Sequence, residues 1–309
     1  MKTIHLNIGT KKTGTTTLQK VLGANRQKLL AYGYHFPQVG VPHSTQGHHM
    51  LAWAVQGGDY KVEIITGKKF DLRTVWADLL AEIESVDADN IILSTEYLAE
   101  FVDTQKIQAI KDYLSSYDVK ISICLRRQDQ YMLSLYAEAV KAGYGKSFLR
   151  FIEESRYLCD YAACIARWEE VFGEGSVSIQ VFKKGRGNEL LKDFFRQIEL
   201  TDLDVDTLKF SQKKLNISPP GKLIRFLRWC NFLFKDVLSL PLFVRRNLYL
   251  YHLQRGKVMK LFSLLPEFPI DDQIMSEPIA QSIMAEFAPM NEAILARYFP
   301  DRQGSLFES

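Results

Sequence analysis

The sequence predicts an α/β fold: a central parallel sheet flanked by helices in a P-loop-like arrangement, with a helical C-terminal portion. Three observations carry that expectation. Short apolar runs alternate with longer stretches of helical period, a Gly/Thr-rich turn joins the first run to the first helix, and strand patterns stop after about residue 200.

The first strand covers Thr3 to Ile8, and the helical stretch after the turn carries Leu18, Val21, Leu22, Leu29 and Leu30. Leu72, Val75, Trp76, Leu79, Leu80 and Ile83 then fall at helical spacing before the turn-prone Asp87 to Asn90. Ile91 to Leu93 is a buried strand. Val119 to Leu125 is another and leads into a helix through Tyr131, Leu135 and Ala139, while Val177 to Phe182 precedes a helix from Leu190 to Ile198. Beyond it, Pro219, Pro220, Pro241, Pro266, Pro269 and Pro278 separate helices. No Gly/Ser linker or internal repeat divides the chain. The expected organisation is one domain over residues 1–309, with an α/β core over 1–200 and a helical subregion over 201–309.

A chain of 309 residues, 47% apolar and 24% charged, can bury a full core. Its 39 Lys+Arg nearly cancel 36 Asp+Glu, which argues against a nucleic-acid partner. Cys124, Cys159, Cys164 and Cys230 match no zinc spacing and make a poor disulfide framework, so free buried thiols and no metal are expected. Met1 leads directly into the first strand without a leader, and no run reaches the ~18 to 20 apolar residues of a spanning helix. The expected location is cytoplasmic, soluble or peripheral at the inner face of the membrane.

The strongest local signal is Gly9-Thr10-Lys11-Lys12-Thr13-Gly14-Thr15-Thr16-Thr17, set between the first strand and the first helix. A turn there points backbone N–H groups and the positive end of a helix dipole at phosphate or sulfate oxygens, and Gly14 permits close backbone approach. The plain alternative is a Gly/Thr-rich turn with two solvated lysines. A nucleoside triphosphate P-loop would need lysine directly after the second glycine, where Thr15 stands.

Lys12-Thr13-Gly14-Thr15-Thr16 resembles the 5′-phosphosulfate loop of sulfotransferases that use 3′-phosphoadenosine 5′-phosphosulfate (PAPS), whose form is Lys-Ser/Thr-Gly-Thr-Thr. The resemblance implies that Lys12, with Lys11 adjoining, binds the phosphosulfate, and that Thr13, Gly14, Thr15, Thr16 and Thr17 supply backbone and hydroxyl donors. Arg126 at the end of the strand Ile121 to Leu125 and Ser134 on the next helix are similar, in their Arg-x7-Ser spacing, to the element that binds the 3′-phosphate. Arginine's planar fork and a serine hydroxyl suit that task. Tyr32 to Pro37, His48-His49, Asp160 to Gly173 and Asn291 are similar to bacterial-type members. The Pro-Lys start and aromatic end of many animal loops are absent, and Lys183-Lys184-Gly185 and Asn216-Ile217-Ser218 match the nucleotide-closing segment weakly.

The resemblance therefore implies PAPS as co-substrate without a metal, and a hydroxyl or amine acceptor on a carbohydrate or glycolipid. Sulfuryl transfer needs a base near the acceptor. Glu96, just past the strand Ile91 to Leu93, lies where strand ends line a ligand crevice. His48 and His49 compete for that role; neighbours on a helix diverge by about 100°, so at most one faces the site. A P-loop-like kinase or ATPase and a non-catalytic adenylate-binding protein remain as alternatives.

Residues 222–260 hold nine basic residues, Lys222, Arg225, Arg228, Lys235, Arg245, Arg246, Arg255, Lys257 and Lys260, against Asp236 alone. Phe226, Trp229, Phe232, Phe234, Phe243, Tyr249 and Tyr251 are interleaved with them. That mixture suits an anionic membrane or an acidic polysaccharide; helices with aromatic core faces and solvated basic faces account for it equally.

Overall fold

The computed structural model describes residues 1–42, 45–57, 72–183, 187–209, 221–239 and 274–307. His43, Lys184, Gly185, Asn216 to Pro220, and the basic and aromatic positions from Pro241 to Lys260 lie outside the described residues, as do Pro266 and Pro269.

Five parallel strands form one sheet in the order β2-β3-β1-β4-β5. They are Thr3–Gly9 (β1), Tyr34–His35 (β2), Asn90–Ser94 (β3), Asp118–Leu125 (β4) and Val177–Val181 (β5). Four sit where apolar runs predict them. β2 is additional, since two residues are too short to show a period. Ile4, Leu6 and Ile8 are buried on one face of β1 and His5 and Asn7 on the other, as befits the middle strand of a sheet covered on both sides.

The chain runs from β1 to β2 and β3 on one side, then crosses to β4 and β5 on the other. Strand order therefore reverses at β1. In open parallel sheets the ligand crevice opens at the carboxyl ends of the strands at such a reversal. β1 pairs with β3 from Thr3↔Asn90 to Asn7↔Ser94, and its register with β4 shifts between Asn7 and Gly9. The irregularity falls at the carboxyl end of β1.

The flanking helices are Thr15–Ala24 (α1), Arg26–Ala31 (α2), His49–Gln56 (α3), Val75–Ser85 (α4), Thr104–Tyr113 (α5), Gln128–Lys141 (α6), Phe148–Ser155 (α7), Tyr161–Phe172 (α8), Gly187–Gln197 (α9), Gly221–Asn231 (α10) and Glu277–Tyr298 (α11). The chain divides into two compact units. One comprises Met1–Arg126, Tyr161–Lys213 and Met290–Ser309; the other comprises Arg127–Asp160 and Lys214–Pro289. The first holds the sheet. There Leu18, Val21 and Leu22 of α1 cluster with Leu191, Phe194 and Phe195 of α9 and with Phe36. In the second, Tyr136 of α6 packs on Phe148 and Phe151 of α7, and Asn231 at the end of α10 donates to the carbonyl of Val140 at 2.7 Å.

All four cysteines are free and buried, as their spacing predicts. No helix among the described residues is long and apolar enough to cross a membrane.

Candidate active site

The turn after β1 is built by its own polar residues and by both neighbouring strands. Asn7 accepts the Gly9 N–H at 3.0 Å, closing the chain on itself as the strand ends. Gly9 has φ 86°, and a Cβ there would lie 2.6 Å from the Cα of Glu96, so only glycine lets the strand end pass that close to the segment after β3. Thr10 then crosses to β4. Its hydroxyl donates to the Cys124 carbonyl at 2.9 Å, and its N–H points to the same oxygen at 3.3 Å.

Lys12 adopts the left-handed conformation at φ 63°, which costs a side-chain-bearing residue energy and persists only where surroundings enforce it. Arg126 contributes to that enforcement: its Nη1 donates to the Lys12 carbonyl at 2.8 Å, while its guanidinium lies over the Phe182 ring. Tyr161 in turn donates to the Arg126 carbonyl at 2.6 Å.

Gly14, at φ 85°, caps α1 without any side-chain hydrogen bond, and the first turn of α1 contains no acid. The first amides of a helix have no partner within it, so Thr15 and Thr16 present donors and the positive dipole end with no built-in anion to neutralise them. The threonines divide the work. Thr13 is buried and its hydroxyl is committed to the Thr10 carbonyl at 2.6 Å, and the Thr17 N–H already donates to the Gly14 carbonyl at 2.9 Å. Thr13 therefore has only its N–H to offer a ligand, and Thr17 only its hydroxyl. Lys11 pairs with Glu100 at 2.6 Å and lies over the Tyr97 ring, whereas Lys12 is half-buried in the turn itself.

Glu96 follows β3 beside this turn. One carboxylate oxygen accepts from the Gln19 side-chain amide at 2.9 Å, and that amide also reaches the Ser94 hydroxyl at 3.3 Å. Gln19 is a buried polar residue one turn along α1 from Thr15, among the apolar Leu18, Val21 and Leu22. His49, at the start of α3, shares a 2.9 Å hydrogen bond between Nδ1 and the Thr95 hydroxyl, and its ring meets Tyr97 edge-on. Burial lowers the His49 pKa, the Glu96 carboxylate opposes that and Lys11 adds to it. Gly47 makes room for both partners: a Cβ there would stand 2.5 Å from the His49 ring and 2.6 Å from the Gln19 amide nitrogen.

His48 does not share this role. The Ser94 N–H donates to its Nδ1 at 3.1 Å, which leaves Nε2 as the donor to the Pro37 carbonyl, also at 3.1 Å. Both ring nitrogens are occupied by backbone, and burial, with Arg26 and His49 nearby, brings the pKa down to about 3. A neutral imidazole with no spare lone pair cannot take an acceptor's proton. His48 is instead a brace between β3 and the segment after β2. Of the two histidines, His49 keeps a ring nitrogen that backbone does not occupy.

Arg126 ends the first segment of the first unit. Ser134, half-buried in the middle of α6, belongs to the second unit, where the helix opens with an Arg127–Asp129 ion pair at 3.1 Å. Sequence reasoning missed Gln19, Asn7 and Thr95. A signal was present for Gln19 alone, as an amide breaking the apolar stripe of α1.

No protein-family model matches the sequence, and no curated protein matches it. Among solved structures, the chain is similar to a crystal structure of a sulfotransferase from Alicyclobacillus acidocaldarius, at 16% identity and a TM-score of 0.41, over 78% of this chain and 98% of that one. The functional reading therefore rests on this chain's own residues.

Proposed function

We propose that this chain is a sulfotransferase that uses PAPS and modifies a hydroxyl or amine of a sugar-containing acceptor, a carbohydrate or glycolipid. The observation that carries the proposal is the turn at the strand reversal. Left-handed Lys12 and Gly14 precede a helix start that has neither a side-chain cap nor an acid, and Arg126 and Thr10 hold that turn to β4. Such a donor set fits an anionic phosphosulfate.

When bound, PAPS supplies the sulfuryl group, with a bond from acceptor oxygen or nitrogen to sulfur forming as the bond from sulfur to the phosphate oxygen breaks. The amides of Thr15 and Thr16 and the Lys12 ammonium hold the anionic end, and Lys12 offsets charge that builds on the leaving phosphate. Arg126 and Ser134 would hold the 3′-phosphate. Glu96 accepts the acceptor's proton, with the Gln19 amide holding one carboxylate oxygen. His49 is held neutral by burial and is the competing base.

Calorimetric titration followed by turnover of labelled PAPS tests the reading. PAPS or its desulfated product should bind without magnesium, and label should pass to a glycan or glycolipid. A preference for ATP with magnesium would favour a P-loop-like kinase or ATPase, and binding without turnover a non-catalytic adenylate-binding protein.

A further inference from the structure

Of the twelve exposed large apolar side chains among the described residues, five lie between Phe226 and Leu238, and the other seven are scattered from Met1 to Tyr157. The five belong to α10 and the π-helical turn Phe232–Val237 with the residue after it. α10 buries Leu223, Ile224, Leu227 and Cys230 against its own unit. Its opposite face, which in an ordinary surface helix would be polar, carries Phe226 and Trp229, with Trp229 57% exposed, and Phe232 follows at 49%. Arg225 and Arg228 are half-buried beside them, and α10 contains no acidic residue.

We propose that this face is a docking surface for an anionic lipid membrane. Aromatic side chains stepped along one helical face and interleaved with arginines match a helix lying in the interface plane, with rings at the acyl boundary and cations at the headgroups. Exposed Val237 and Leu238 extend the apolar area. An acidic polysaccharide would match the arginines, but it offers aliphatic side chains nothing to bury. The surplus of basic residues over residues 222–260 has the sign that anionic headgroups require.

Three of the four tryptophans, Trp53, Trp76 and Trp168, are buried, so a change in tryptophan emission on binding reports Trp229. The test uses the full chain with vesicles of phosphatidylcholine alone and with about a third phosphatidylglycerol, at low and high salt. The expected result is co-sedimentation with the mixed vesicles at low salt, a blue shift of the emission, and quenching by lipids brominated in the acyl chain. Trp229→Ser with Phe232→Ser should retain the thermal unfolding of the parent and lose about tenfold in partitioning for each ring removed. Failure to sediment with the mixed vesicles would overturn the proposal, as would sedimentation with unmoved emission. Binding to dextran sulfate without binding to vesicles would pass the surface to a polysaccharide. A dimer that excludes vesicles and disperses in the double variant would pass it to a second copy of the chain. The readout is lipid binding alone, so its outcome is independent of the transfer reaction.

Discussion

Where β3 ends, the chain places a carboxylate and an imidazole; where β4 ends, it places a guanidinium. β1 runs between them and finishes in the turn that both sides hold. On the β3 side the contacts orient groups able to take a proton: the Gln19 amide on Glu96 and the Thr95 hydroxyl on His49. On the β4 side they fix backbone: Thr10 on the Cys124 carbonyl and Arg126 on the Lys12 carbonyl. The difference teaches that a strand reversal can set two kinds of contact apart by direction alone: side chains that could accept a proton are oriented on the β3 side of β1, and backbone is fixed on the β4 side.

The largest effect should come from the turn common to both sides. Lys12→Ala is expected to reduce transfer by about 100-fold or more with an unchanged fold, because one charge-stabilising contact at a leaving group is worth that much. Single-turnover rates with labelled PAPS measure it, and a loss under about tenfold would remove Lys12 from the chemistry.

Next in size is the β3 side. Glu96→Gln should slow the chemical step by about 100-fold while PAPS affinity holds, since an amide preserves the hydrogen bond geometry but accepts no proton. The same measurement on His49→Gln assigns the base. If His49→Gln collapses the rate and Glu96→Gln does not, the proton passes to the imidazole.

At the end of β4, Arg126→Ala should weaken nucleotide binding by about tenfold, selectively for ligands bearing a 3′-phosphate, and the same titration on Ser134→Ala tests the serine on its own. Arg126 also grips the Lys12 carbonyl. Equal loss for PAPS and for adenosine 5′-phosphosulfate in Arg126→Ala would show that its weight lies in shaping the turn rather than in touching the phosphate.

The smallest effect tests the support behind the β3 side. Glu82 of α4 accepts from the amides of Gln38 and Val39, at 2.9 Å each, and from the His35 ring at 3.0 Å. Burial would raise its pKa, but these donors overcome that and bring it down to about 2. A depressed carboxylate adds stability above its unfolded pKa, near 4.5, and loses it as pH falls towards 2. Glu82→Gln should cost about 1 kcal/mol at neutral pH and make the unfolding free energy flatter between pH 4.5 and 2. Denaturant unfolding across that range checks both.

How much of this was legible depends on whether a residue acts through pattern or through position. β1, β3, β4 and β5 are long enough for apolar runs to reveal them, and the Gly/Thr turn announces itself by composition. Glu96 is legible because it follows a strand. Its partner Gln19 shows only as an amide interrupting the apolar stripe of α1; what it reaches has no motif, because only the fold brings it to Glu96 across 77 positions of sequence. The two histidines look equivalent in sequence. What separates them is the backbone around each ring: Ser94 and Pro37 occupy both nitrogens of His48, whereas His49 meets the Thr95 hydroxyl.

α1 serves the site at two levels. Its first amides are the donors proposed for the anionic end of PAPS, and one turn later Gln19 grips the carboxylate proposed as base. The helix therefore acts as a ruler whose graduation is a single turn, about 5.4 Å, set by backbone hydrogen bonds rather than by loops. A rigid translation of α1 carries both ends together and leaves their spacing intact. Inserting one residue between Thr17 and Gln19 would instead rotate the amide about 100° away from Glu96 and break the gauge while leaving the proposed donors from Lys12 to Thr17 in place.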